Sequence, residues 1–104
     1  MKIALPTNSG FIEEHFGDSE YFSIYEIDEN NNAIEEETIA TVRGCGCTPE
    51  ILEILFNIGV KTVLVNKITS NETSELSHYG IDVIRGFSGE VSDAVNEWKE
   101  NSRK

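Results

Sequence analysis

Residues 48–84 read TPEILEILFNIGVKTVLVNKITSNETSELSHYGIDVI, and this stretch decides the fold. Thr48 suits a helix N-cap, Pro49 the first helical position, and Glu50 the positive end of the helix dipole. Ile51, Leu52, Ile54, Leu55, Phe56 and Ile58 then make a helix that is apolar around much of its circumference. Gly59 closes it, since glycine accepts the left-handed backbone that commonly follows a helix. Thr62–Val65 is a short buried strand. Thr69-Ser70-Asn71-Glu72 forms a capping box that opens a weak helix ending at Gly80, and Ile81–Ile84 is a further strand. Strand–helix–strand units of this kind imply parallel strands joined by right-handed crossovers.

Working outward toward the C-terminus, Val91, Ala94, Val95 and Trp98 recur at i, i+3, i+4 and i+7 and mark a third helix. Asn101–Lys104 reads as a frayed tail. Toward the N-terminus, Lys2–Leu5 is a first strand ended by Pro6, and residues 6–20 form a long polar connection. Tyr21–Ile27 and Ala33–Val42 are strands separated by the turn signal Asn30-Asn31-Asn32. The second of these alternates Ile34, Thr38, Ala40 and Val42 with acids, as an edge strand does. The expectation is one α/β domain over residues 1–104. It has a five-stranded mixed sheet in the order 3-2-1-4-5, strand 2 antiparallel, and three helices on both faces, an arrangement similar to ribonuclease H.

The chain has 104 residues and a formal net charge of -11. Residues 1–40 hold ten acids and one base, whereas residues 41–104 hold nine acids and seven bases. Such a surface disfavours nucleic acid and anionic membrane as partners. No run reaches the roughly 18 apolar residues of a membrane span, and the N-terminus has no signal-peptide pattern. A cytoplasmic location is expected, and Cys45 and Cys47 are then thiols rather than a structural disulfide.

In an open α/β sheet, ligands bind beyond the carboxyl ends of parallel strands. The expected topology gathers three loops at that edge: residues 6–20, 43–48 and 66–69. The most informative is Arg43-Gly44-Cys45-Gly46-Cys47-Thr48. Its glycines let backbone N–H groups approach a ligand, and the following helix end favours anions and a Cys47 thiolate. Two such thiols suit soft metals, iron–sulfur species or sulfide-rich anions. Two cysteines cannot enclose a four-coordinate metal alone, and the ordinary alternative is two small residues in a tight loop. His15 in the first loop offers an imidazole for ligation or for hydrogen bonding to sulfide, or is simply a loop histidine. Arg43 and Lys67 offer charge against an anionic cargo, or are solvated. His78 has a structural reading at a helix C-terminus.

Hydrolytic and nucleotide-binding signatures are missing from the chain: it has no Gly-x-Ser-x-Gly elbow, no Gly-Lys-Ser/Thr loop and no Gly-x-Gly-x-x-Gly fingerprint. The central strands contribute Ile3, Leu5, Val63 and Val65, so they lack the carboxylates that nuclease metal ions need.

Met1–Thr7, His15-Phe16-Gly17, Tyr21-Phe22, the glycine-rich loop before the first helix, Gly59-Val60 and Tyr79–Val83 together resemble the dinitrogenase iron–molybdenum cofactor biosynthesis domain. The resemblance covers nearly the whole chain. It implies a ribonuclease H-like three-layer fold without nuclease activity. It also implies a non-catalytic carrier or scaffold for an iron–sulfur or iron–molybdenum-type cluster or its precursor. The orange protein, in a related branch, holds a molybdenum–copper sulfide cluster. On this resemblance His15 and the Cys45–Cys47 loop would face the cluster. With the loop reading above, Cys45 and Cys47 are the candidate metal ligands and His15 a candidate ligand or hydrogen-bond donor, while Phe16, Gly17, Arg43, Gly44, Gly46, Thr48, Asn66 and Lys67 are the candidate cofactor-site residues. Donor and acceptor proteins would be the partners. The chain departs from the family in having Asn66-Lys67-Ile68 where a glycine-rich turn is common, and in its Cys-x-Cys pair. A thiol redox or sulfur-transfer enzyme using Cys47, and a ligand-free interaction module, stand as alternatives.

Overall fold

The structure is a computed structural model that describes residues 1–14, 20–30, 32–40 and 49–102. The elements follow in the order β1 (Lys2–Asn8), β2 (Phe11–Ile12), β3 (Tyr21–Ile27), β4 (Ala33–Ala40), α1 (Pro49–Asn57), β5 (Val60–Leu64), α2 (Ser70–His78), β6 (Asp82–Ile84) and α3 (Val91–Ser102). The main sheet runs β4-β3-β1-β5-β6, with β2 paired to β1. β3 is antiparallel to both β1 and β4, while β1–β5 and β5–β6 are parallel. The expected order 3-2-1-4-5 is therefore the observed path, with three helices. The expected count of five strands is corrected to six among the described residues, because β2 adds a strand beside β1.

That extra strand arises from two features of residues 6–12. β1 does not end at Pro6. Its last parallel pair with β5 is Ala4↔Val63, yet pairing with β3 continues through Pro6↔Phe22 and Thr7↔Tyr21. Pro6 thus sits where the β5 ladder has already stopped, so the N–H it lacks costs no ladder bond. Asn8-Ser9-Gly10-Phe11 then makes a two-residue hairpin with positive φ at Ser9 (53°) and Gly10 (87°), as a type I′ turn requires. The hairpin is held from outside, because Ile12 N–H donates to Gly89 O (2.9 Å) and Val91 N–H to Gly10 O (3.1 Å).

Two apolar clusters sit on opposite faces of the sheet. Ala4, Phe22, Ile24, Val60 and Val63 pack with Ile51, Leu52 and Leu55 of α1 and Leu76 of α2. Ile3, Leu5, Ile27 and Leu64 pack with Val91, Ala94, Val95 and Trp98 of α3. Alternation along β1 explains the division, since Ile3 and Leu5 point one way and Ala4 the other. The result is three layers, with two helices on one face and one on the other.

The capping box of α2 is present in both directions, Glu72 N–H donating to Thr69 Oγ1 and Thr69 N–H to Glu72 Oε1 (both 3.1 Å). Gly59 (φ 94°) ends α1 with its N–H on Phe56 O at 3.1 Å. The predicted N-cap Thr48, Asn31 of the hairpin turn and the predicted extension of β4 to Val42 lie outside the described residues.

Candidate functional site

β1, β4 and β5 all run toward the same sheet edge, and several chain crossings are pinned there. Thr7↔Tyr21 and Tyr21↔Ala40 align three neighbouring strands, β1, β3 and β4. At strand spacings near 4.8 Å this row is about 10 Å wide. Glu14 and Glu20, which flank residues 15–19 in sequence, are held beside it. Glu13 N–H donates to Pro6 O (3.0 Å), Lys67 N–H to Glu14 O (3.0 Å), and Glu20 N–H to Thr7 O (3.1 Å). β4 ends in the same row at Ala40, and α1 begins at Pro49. Asn66 and Lys67 form the loop after β5, and Phe87 N–H donates to Val65 O (3.0 Å) from the segment before α3.

Glu13 and Glu14, the two acids that precede His15 in sequence, have partners. Glu13 Oε2 accepts from Asn8 Nδ2 (3.0 Å), and Glu14 Oε1 accepts from Lys67 Nζ (2.9 Å). Lys67 and Glu14 are both more than half exposed, so their pair contributes under about 1 kcal/mol. Its main consequence is geometric: together with the backbone bond, it ties the β5–α2 loop to the point where the chain turns toward His15. The charge that Lys67 brings to the edge is offset by Glu14. Asn66 is half-buried, and its carbonyl accepts from Gly86 N–H at 3.5 Å.

Cys45, Cys47 and His15, with Phe16, Gly17, Arg43, Gly44, Gly46 and Thr48, lie outside the described residues. Asn66 and Lys67 are the described members of the predicted site. Among the described residues, no group of three His, Cys, Asp or Glu side chains could hold a metal ion. His78 lies at the far end of α2, against Tyr79 with ring centroids 6.3 Å apart, and the structure does not bring it to the edge.

Sequence reasoning missed a buried polar pair at this end of the sheet. Thr7 Oγ1 donates to Leu5 O (2.8 Å) and lies 2.9 Å from Ser23 Oγ, with both side chains essentially inaccessible to solvent. A threonine hydroxyl has one proton, so Ser23 must be the donor in the second bond. The available signal was weak: two hydroxyl residues in strands, on the face shared by Leu5 and Tyr25. The tyrosines beyond this pair are also engaged. Tyr21 Oη accepts from Gly10 N–H at 3.3 Å. The Tyr25 hydroxyl is pushed above its ordinary value by burial and by the neighbouring Glu35 carboxylate.

Solved structures share the architecture. The apo form of the orange protein from Desulfovibrio gigas superposes with a TM-score of 0.72 at 17% identity, over 96% of this chain and 88% of that one. At that identity the likeness shows the fold alone. A Thermotoga protein provisionally described as a NifB protein is 27% identical with a TM-score of 0.67, over 95% and 87% of the two chains. In sequence, an uncharacterized protein of Methanocaldococcus jannaschii is 31% identical over 104 residues, covering 96% of this chain and 86% of its own. Residues 1–101 match the family described as dinitrogenase iron-molybdenum cofactor. The strand order, the extent of the match and the relative in sequence agree: the chain belongs to the dinitrogenase iron-molybdenum cofactor family.

Proposed function

We propose that this protein is a non-catalytic carrier or scaffold for an iron–sulfur or molybdenum-containing metal–sulfur cluster, working in the cytoplasm between donor and acceptor proteins. The observation that carries this reading is the family match over residues 1–101. The geometry supports it. Glu14, Glu20 and Ala40, which flank residues 15–19 and 41–48, lie at one end of the mixed sheet. In this reading Cys45 and Cys47 ligate the cluster and His15 ligates it or donates to a sulfide. Gly44, Gly46 and Thr48 offer backbone N–H groups, Arg43 adds positive charge, and Phe16, Gly17, Asn66 and Lys67 line the remaining wall. The donor set fits the cargo, because thiolate is a soft ligand suited to metal–sulfur clusters and imidazole a borderline one that also binds iron. An open edge suits cargo that has to leave again.

The test is anaerobic reconstitution with iron and sulfide, followed by metal analysis and visible absorption. Charge-transfer bands with stoichiometric iron in the parent, lost in Cys45→Ser/Cys47→Ser and weakened in His15→Ala, are the expected result. Equal loading of the double serine variant would refute the ligand assignment. The rate of Cys47 alkylation against pH checks for a redox-active thiolate: a depressed pKa with reversible oxidation and no cluster loading would replace the carrier by a thiol enzyme.

A further inference from the structure

The β1–β2 hairpin carries an exposed aromatic side chain that has no role in that reading. Phe11 is 52% exposed, yet its backbone is fixed from both sides. It pairs with Asn8 of β1 on one side and forms an antiparallel bridge with Glu90 on the other. Ile12 N–H donates to Gly89 O (2.9 Å), Val91 N–H to Gly10 O (3.1 Å), and Gly10 N–H to Tyr21 Oη (3.3 Å). Single apolar residues scattered over a surface are ordinary. Phe11 differs in standing at the middle of a three-segment ribbon that holds it in place.

Strand alternation sorts the two faces of this ribbon. Thr7 and Ile12 oppose each other and are both buried. Asn8, Phe11 and Glu90 therefore share the other face. Glu13 joins them, because its N–H continues the pairing at Pro6 O (3.0 Å) and its Oε2 accepts from Asn8 Nδ2 (3.0 Å). The ring thus lies between two carboxylates, Glu13 two positions along and Glu90 directly opposite, where Cβ atoms are about 5 Å apart. A carboxylate has about four acceptor sites, so the amide of Asn8 leaves Glu13 able to accept more. Lys2, the one base in residues 1–40, is at the opposite end of β1, and Lys67 Nζ is bound to Glu14.

An aromatic face between carboxylates suits a planar cation. A guanidinium stacks on a ring and donates in its own plane, which an ammonium cannot do. A second copy of this chain would bring another net charge of -11 and be repelled, whereas a basic protein is attracted. We infer that this ribbon face docks an arginine on a basic surface of the protein that delivers or receives the cargo. The arginine stacks on Phe11 and donates to Glu90 and Glu13. The backbone is already fixed, which lowers the ordering cost of the contact. The hairpin follows Thr7 in the row at the sheet edge, so a partner seated on it stands beside that edge. Naming the partner as a cargo protein rests on the carrier reading; the arginine contact does not.

The experiment titrates the isotope-labelled, metal-free full chain with a blocked glycine–serine peptide containing two arginines, and with its citrulline counterpart, which keeps size and planarity without the charge. Expected are amide shifts concentrated at Gly10, Phe11, Glu13 and Glu90 with the arginine peptide. Phe11→Leu, which keeps an apolar strand residue without a π face, weakens binding about threefold. Glu90→Gln weakens it by a similar factor and flattens the salt dependence. Retained exchange protection at the Ile12 and Val91 amides shows that the hairpin persists in both variants. Four results overturn the inference: no shifts on the ribbon, shifts spread evenly over the acidic surface, equal binding of the citrulline peptide, or unchanged affinity in Phe11→Leu. Iron loading is measured separately. Loading without the arginine contact removes the docking face and keeps the carrier, and the arginine contact without loading does the reverse.

Discussion

The buried hydroxyl pair offers the sharpest test of the structure at its functional edge. Thr7→Val keeps the side-chain shape but removes both hydrogen bonds of Thr7 Oγ1, at 2.8 Å to Leu5 O and 2.9 Å to Ser23 Oγ. It also strands the Ser23 proton, because Ser23 is only 2% exposed. Each lost bond is worth about 1 kcal/mol net, and an orphaned buried donor adds a desolvation penalty. The expected loss is about 2–3 kcal/mol. Ser23→Ala removes one bond and leaves Thr7 still donating to Leu5 O, for a loss of about 1 kcal/mol. The double variant loses the shared bond once and leaves no stranded serine, so it falls short of the sum by about 1–2 kcal/mol. Urea denaturation of the four proteins measures this directly. A drop of 1 kcal/mol lowers Tm by about 4–8 °C in a domain of this size, so thermal melts give an independent reading. Single-variant losses that add within about 0.5 kcal/mol would refute the pairing.

Three other outcomes follow from named contacts. Thr69→Ala removes half of the capping box from a helix with a single fully buried residue, Leu76, and should cost about 1 kcal/mol, with Ser70–His78 losing hydrogen-exchange protection first. Leu55→Ala empties a fully buried position between α1 and the sheet and should cost about 2–5 kcal/mol in denaturant unfolding. The raised Tyr25 pKa means that folding favours its neutral phenol. The corresponding stability is complete below the unfolded value of 10.0 and is lost as pH rises through the folded one. Ultraviolet titration should show one late-ionising tyrosine that moves earlier in Glu35→Gln, and no movement would remove Glu35 as a cause.

The fold was largely legible because its signals are local. Pro49, Gly59, the Thr69–Glu72 box and the apolar spacing of Val91–Trp98 act within one or two helical turns, and each lies where the structure needs it. The strand at Tyr21–Ile27 was read to the residue for the same reason. The misreadings at Pro6 and at Ser9-Gly10 are cases where a local rule met its neighbours. A proline ends a strand only if its N–H side must be paired, and here β5 had already stopped. Phe11–Ile12 is too short to register as a strand by periodicity, and it exists because the loop before α3 supplies Gly89 O.

Sequence alone determined the chemistry on offer: two soft thiols among glycines, an imidazole near the end of the first strand, and an acid excess concentrated in residues 1–40. It also determined the order and type of the main elements, since periodicity and caps are written within each segment. Only the tertiary structure decided which ends of those segments share an edge. Glu14 and Lys67 are 53 positions apart, and Thr7, Tyr21 and Ala40 belong to three strands. Their adjacency comes from strand pairing and from burial on both faces of the sheet, and no local pattern encodes it. The same long-range assembly left Ile54 and Phe56 on the outside of a helix that is apolar around much of its circumference. The core has room for one face of α1, and the remaining apolar surface stays exposed.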